Sequence, residues 1–333
     1  MKLTLFIFLL LGSLIGVAQK KIIVDLNGHG DFKSIQEAIN SLSDTSIVNR
    51  VVFIKNGVYN EKIFIEKHNI LLVGEDREKV IVTQSIARDE FRCSHNDDWG
   101  VATINVNGND ISLQNLTIRN SYGFETTNDK TIDCLNDTIS HKKIVRKNGH
   151  QMALRTMKAT RFKAVNCTFS SFGGDTVSPW NVDNGMFYFK DCSIEGGVDF
   201  YCPRGWAWAE NCDFKSLNGT ASIWHDGSKN KDSKSVLINC RFKGFDNFYL
   251  GRYHRDAQMY LVNCLFADNM RDSAIYHVSN NSTISFGHRM YFSDCHRKAG
   301  DYSWFADNLP QQLKEKEITV NWLFNGAWSP DKK

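Results

Sequence analysis

The stretch NCTFSSFGGDTVSPWNVDNGMFYFKDCSIEGGVDF, residues 166–200, opens one short pattern twice, as Asn166-Cys167-Thr168-Phe169 and as Asp191-Cys192-Ser193-Ile194. The pattern returns as Asn211-Cys212-Asp213-Phe214, Asn239-Cys240-Arg241-Phe242 and Asn263-Cys264-Leu265-Phe266. The cysteines at 167, 192, 212, 240 and 264 are therefore 20 to 28 residues apart. Short β-rich runs at that period, with too few residues between them for helices, predict a β-solenoid in which each repeat is one turn of a coil. A sandwich or propeller fits less well, because hairpin dipeptides are scarce. Asp175 lies eight residues after Cys167 and Asp199 seven after Cys192. Equivalent positions on neighbouring rungs bring two carboxylates to about 5 Å. Such a pair splits its pKa values, one group ionised and one protonated, as acid–base chemistry requires.

Working outward, Val51-Val52-Phe53-Ile54, Ile63-Phe64-Ile65, Ile70-Leu71-Leu72-Val73 and Ile111-Ser112-Leu113 extend the coil towards the N-terminus. Phe32, Ile35, Ala38 and Ile39 have helical spacing, and Ser34 with Glu37 has the form of a capping box. A short amphipathic helix is expected there, covering the open edge of the first coil. Residues 124–149 are polar and break the rhythm, which predicts a long loop beside whatever the coil binds. The segment 301–333 carries Trp304, Trp322, Phe324 and Trp328 and reads as an aromatic flap packed on the coil.

The chain of 333 residues is 42% hydrophobic, enough for a sizeable core, and its net charge of +3 argues against a nucleic-acid binder. Lys2, the apolar run Leu3 to Ile15 and the small residues Gly16-Val17-Ala18 predict a signal peptide over 1–18, followed by a single domain over 19–333. The run is short for a bilayer span, so a secreted periplasmic or extracellular protein without a membrane anchor is expected. Five of the nine cysteines recur in phase and read as a buried thiol ladder, while Cys93, Cys134, Cys202 and Cys295 stay open and a Cys93–Cys134 bridge is possible. CxxC spacing of the zinc-binding kind is absent, so no metal and no cofactor are expected.

Several fragments, in order, resemble the pectin methylesterase (pectinesterase) family. Asp31-Phe32 through Ala38-Ile39 is similar to its opening motif, Gly57-Val58-Tyr59-Asn60-Glu61 to GxYxE, and Gln151-Met152-Ala153-Leu154-Arg155 to QAVALR. Gly174-Asp175-Thr176-Val177 resembles QDTL, Gly197-Val198-Asp199-Phe200 resembles the start of VDFIFG, and Leu250-Gly251-Arg252 resembles LGRPW. The resemblance implies an all-β, right-handed parallel β-helix and a divergent bacterial-type carbohydrate esterase that removes methyl groups from galacturonate units of pectin. Carried over by position, it makes Asp199 the nucleophile, Asp175 the general acid and then base, Gln151 an oxyanion donor and Arg252 the group that holds Asp199 ionised. The implied partner is pectin or polygalacturonate, bound by a monomer.

The sequence departs from the family at the second oxyanion glutamine, replaced by Gly174, and after the arginine, where proline and tryptophan become Tyr253 and His254. Trp180, Trp206, Trp208, Trp224 and Tyr253 are the aromatic candidates to replace the lost sugar contact, and His254 joins them as a substrate-binding candidate. His225, His254 and His277 read as cleft-lining or surface groups rather than bases. Two rival readings share the inventory: a Ca-dependent pectate lyase-type β-helix enzyme, and a non-catalytic pectin-binding solenoid.

Overall fold

The computed structural model describes residues 21–225, 230–279, 281 and 283–332. The signal peptide expected over 1–18 lies outside the described residues. The chain coils into a right-handed parallel β-helix with three faces. One face is a ten-stranded sheet running from Ile22–Val24 through Phe162–Val165, Met186–Lys190 and Trp206–Glu210 to His288–Ser293. A second, nine-stranded face holds Thr168–Ser171, Ser193–Gly196, Asp213–Ser216 and Arg241–Gly244. The third face is interrupted. Four strands end at Val177–Ser178, three begin at Ala221–Trp224, and single bridges from Val177 to Tyr201 and from Tyr201 to Ile223 carry the ladder across the gap.

The repeated Asn/Asp-Cys dipeptide is the corner between the first two faces. Asn115, Asn166, Asp191, Asn211, Asn239, Asn263 and Asp294 all have left-handed backbone, with φ between 48° and 55°. Asparagine and aspartate tolerate that region better than other side-chain-bearing residues, because their short polar groups bond locally. Their amides also stack, with Asn166 Nδ2 2.9 Å from Asn115 Oδ1 and Asn263 Nδ2 2.7 Å from Asn239 Oδ1. The next residue turns inward, so the ladder Cys167, Cys192, Cys212, Cys240 and Cys264 is buried and gains Cys295 as a sixth step. Two residues on, Phe169, Ile194, Phe214, Phe242 and Phe266 fill the core, and Phe214 and Phe242 stack at 4.8 Å. Each such side chain is worth roughly 1.5–3 kcal/mol by removal from water.

The amphipathic segment forms a helix at Ile35–Ser41 that buries Ile35, Ala38 and Ile39. Ser34 Oγ accepts from the Glu37 N–H, as the capping pattern requires. The other free first-turn donors, Ile35 N–H and Gln36 N–H, are held by the Glu61 carboxylate at 2.9 and 3.0 Å. At the far end Trp322, Phe324 and Trp328 pack on Tyr188, Trp208 and Tyr260 of the ten-stranded face, as expected of an aromatic flap. The segment 124–149 differs from expectation. It contains an antiparallel hairpin, Lys130–Asp133 with Lys142–Val145, tied by a Cys93–Cys134 disulfide to the short helix Arg88–Phe91.

Candidate active site

Asp175 and Asp199 sit at the break in the third face, where each rung bends sharply. Both have left-handed backbone, with φ of 60° and 52°. The Asp175 N–H donates to Val198 O at 3.2 Å and the Asp199 N–H to Ala221 O at 2.7 Å. The bridge from Val177 to Tyr201 has the same 24-residue offset as the two aspartates, so they occupy equivalent places on adjacent rungs. Both carboxylates are nearly buried, Asp199 at 2% exposure beneath Asp175 at 8%.

Arg252 comes from the strand Tyr249–Tyr253, two rungs beyond Asp199. The intervening rung carries Trp224 as the register partner of Arg252, and the guanidinium reaches past that rung to Asp199. Its Nε stands 2.9 Å from Asp199 Oδ1 and its Nη2 2.7 Å from Oδ2. Burial still dominates the carboxyl: desolvation lifts Asp199 to about 6, against the opposing pull of Arg252, with Asp175 adding a further upward push and His150 a downward one. The same contact holds the Arg252 guanidinium more firmly protonated. Both values move upward, which works against the charge of the carboxylate and for that of the guanidinium, since the deeper carboxylate loses more water than the half-buried guanidinium.

Gln151 lies on the rung before Asp175, but its side-chain amide is fully engaged. Its Oε1 accepts from Gly123 N–H at 2.9 Å, and its Nε2 donates to Lys147 O at 2.5 Å and Gly149 O at 3.2 Å. Both N–H groups of that amide are thus directed to backbone carbonyls here, whereas the sequence expectation placed one at the oxyanion. The residue staples the short helix Tyr122–Glu125 and the loop at 147–149 to the coil. His150, not singled out from sequence, faces the aspartates with Nε2 3.8 Å from Asp175 Oδ1.

Of the substrate-binding candidates, Trp224 and His254 lie on the third face, beside Arg252 in register and in sequence, their rings in edge contact at 5.0 Å. Trp206 and Trp208 do not join them. Both belong to the strand Trp206–Glu210 of the ten-stranded face, where the C-terminal flap covers them; the chain turns a corner between Asp199 and Trp206 and carries them to another side of the coil. Tyr253 points inward into the core, with its hydroxyl against His288. His225 is fully buried, not cleft-lining, and is held neutral near pKa 4 by burial, its Nε2 2.9 Å from Gly205 O.

A column of alternating cations and rings borders the site. Arg155 and Arg204, on the rungs either side of Trp180, lie 4.7 and 4.2 Å from its ring centroid, and Arg204 lies 4.3 Å from Trp224. Ser178 Oγ accepts from Arg155 Nη1 at 2.7 Å and from Arg204 Nη1 at 3.3 Å, and Asp98 balances Arg155 at 3.4 Å. Trp180 is therefore covered on both faces and offers its edge rather than a stacking surface. The sequence signal for this column was weak: Arg155 belongs to the QMALR segment, but nothing local marks Arg204.

Residues 21–172 match the family model described as Pectinesterase. Pectinesterase A of Dickeya chrysanthemi is 33% identical over 191 residues, covering 56% of this chain and 48% of that protein. Pectinesterase QRT1 of Arabidopsis thaliana is 25% identical over 262 residues, covering 75% of this chain and 62% of that protein. The chain thus spans less than two thirds of either relative. Among solved structures, pectin methylesterase PemA from Erwinia chrysanthemi shares the fold with a TM-score of 0.70 and 24% identity, over 93% of this chain and 97% of that one. The pectin methylesterase from carrot gives a TM-score of 0.64 at 18% identity, over 85% of this chain and 84% of that one.

Proposed function

The chain belongs to the pectinesterase family, and on that premise we propose that it hydrolyses methyl esters of galacturonate units in pectin, acting outside the cytoplasm. The observation that carries the reading is the Asp199–Arg252 pair, buried beside Asp175 on the adjacent rung.

The chemistry follows from the environments of the three groups. The Asp199 carboxylate, oriented by two N–H donors of Arg252, attacks the ester carbonyl carbon. The carbonyl π electrons move to oxygen, and collapse of the tetrahedral species expels methoxide, which takes the proton held by Asp175. The acyl-enzyme is then opened by water deprotonated at Asp175, restoring Asp199. Arg252 keeps the nucleophile charged in a site that otherwise favours its acid form. Two close carboxylates do not readily carry both charges, and the proposed reaction assigns the shared proton to Asp175.

The substrate class agrees with the charge beside the site. Arg155 and Arg204 are buried behind the rings, so they favour an acidic polysaccharide through the field they set rather than by contact. A pectin methylesterase of this fold has been solved with a hexasaccharide, which supports an oligosaccharide lying on this fold. The test is methanol release from highly methylated pectin, with chain length monitored. The esterase reading expects methanol without chain cleavage from the wild type and none from Asp199→Ala. Equal rates in the two proteins remove Asp199 from the reaction. Unsaturated oligosaccharides in place of methanol would establish the lyase chemistry instead.

A further inference from the structure

We propose that the imidazole of His150 donates the hydrogen bond that stabilises the oxyanion formed when Asp199 attacks the ester. The inference rests on the esterase reading. A tetrahedral oxyanion in a water-poor site needs a positioned donor. Both amide hydrogens of Gln151 are directed to backbone carbonyls, Lys147 O and Gly149 O. Nε and Nη2 of Arg252 are directed to Asp199. Position 174 supplies no side chain, and the local packing shows why. A Cβ on Gly174 would lie 2.6 Å from Val198 O and 2.8 Å from His150 Cδ2. The backbone approach forbids a larger residue, and the imidazole fills the space that a side chain there would enter.

The His150 ring is also placed for the task. Its backbone bridges Gly174 in parallel register, and its carbonyl accepts from Arg88 N–H at 3.0 Å, so the residue is anchored at both sides. The side chain keeps 43% of its surface, which leaves it open to a bound ester. Nε2 is 3.8 Å from Asp175 Oδ1, beyond hydrogen-bond length. An N–H there is near both carboxylates without being held by either. In the proposed step the new bond joins an Asp199 oxygen to the carbonyl carbon. The displaced π pair goes to the carbonyl oxygen, which accepts from His150 Nε2–H. No proton leaves the imidazole, and methoxide takes its proton from Asp175 as before.

The test compares His150→Ala and His150→Gln with the wild type for methanol release, and checks the melting temperature of each. Loss of one oxyanion donor lowers kcat by roughly 10²–10³-fold. The expected result for His150→Ala is a fall of that order with KM changed less than about threefold. His150→Gln, which restores an N–H at similar reach, should recover at least about tenfold of it. A wild-type kcat in His150→Ala overturns the inference and leaves the esterase reading standing. A loss that appears in KM alone, or that glutamine does not relieve in a normally melting protein, also overturns it. A wild type that releases no methanol overturns both.

Discussion

Arg252 and Asp199 are joined across an entire rung of the coil by three contacts, Nε to Oδ1 at 2.9 Å and to Oδ2 at 3.1 Å, and Nη2 to Oδ2 at 2.7 Å. That fork keeps a carboxylate usable at a depth where burial opposes its charge. The consequence is visible in pH. In the proposed reaction Asp199 attacks in its ionised form, and it is lifted to about 6, so kcat/KM of the free enzyme should rise through an acid limb near pH 6. Arg252→Leu removes the downward pull, so its limb should move to higher pH by about 1–3 units, the usual reach of a paired guanidinium. A pH–rate profile of both proteins checks this, and a wild-type limb near 4 would mean that the carboxyl is well solvated.

The same shift bears on stability. A carboxyl whose folded pKa is raised adds stability below its unfolded pKa of about 3.9 and loses it as pH rises through about 6. Asp199→Asn should therefore match the wild type near pH 3.5 and exceed it above pH 6, by on the order of 2–3 kcal/mol once ionisation is complete. Denaturant titrations at several pH values read this directly. A variant less stable than wild type at pH 8 would show that the Arg252 pair outweighs the desolvation of the aspartate.

Gln151 makes a different prediction from a group that touches substrate. Its amide satisfies Gly123 N–H, Lys147 O and Gly149 O, three backbone groups of a short helix and a loop. Gln151→Leu leaves Gly123 N–H and Lys147 O without that partner, while Gly149 O keeps the Gly174 N–H, and each buried orphan costs about 1–3 kcal/mol. The expected signature is faster amide exchange over 122–125 and 145–149, together with a lower melting temperature. Full protection there combined with a pure kcat loss would return the residue to the oxyanion.

The Cys93–Cys134 disulfide closes a separation of 41 residues and fastens the hairpin 130–145 to the helix whose first N–H holds His150 O. Chain-entropy reasoning gives up to about 4 kcal/mol for a loop of that length. The double variant Cys93→Ser/Cys134→Ser should unfold at lower denaturant concentration, with proteolysis beginning within 124–149.

The coil was legible because its corner chemistry repeats: a left-handed Asn or Asp, an inward cysteine, then an inward aromatic two positions on. That period also brought Asp175 and Asp199 together and located Arg252 two rungs away. The remaining site depends on side-chain direction, which period alone does not give. Gln151 matched a motif, yet its amide turned to carbonyls brought close by the loop. His150 became visible only through the contact of its ring with Gly174. Trp206 and Trp208 follow Asp199 closely in sequence, but the rung turns between them and the strand faces another sheet.

Trp208 and Trp224 give the last test, because each occupies a face of the coil that assigns it a different job. Trp208 packs under the flap with Tyr188, Leu323 and Phe324, and its Nε1 donates to Glu210 Oε2 at 3.3 Å. Trp208→Ala empties a buried aromatic site, which typically costs 3–5 kcal/mol. Far from the aspartates, it should leave kcat/KM within about twofold in protein that remains folded. Trp224 instead adjoins Arg252 in register, with Arg204 over its ring and His254 at its edge. Trp224→Ala removes one wall of the column to which the proposed function assigns the polymer, so KM for pectin should rise several-fold with a smaller change in stability. Melting curves and steady-state kinetics on the two proteins separate the roles. An intact KM in Trp224→Ala, or a raised one in Trp208→Ala, would put the polysaccharide on the other face.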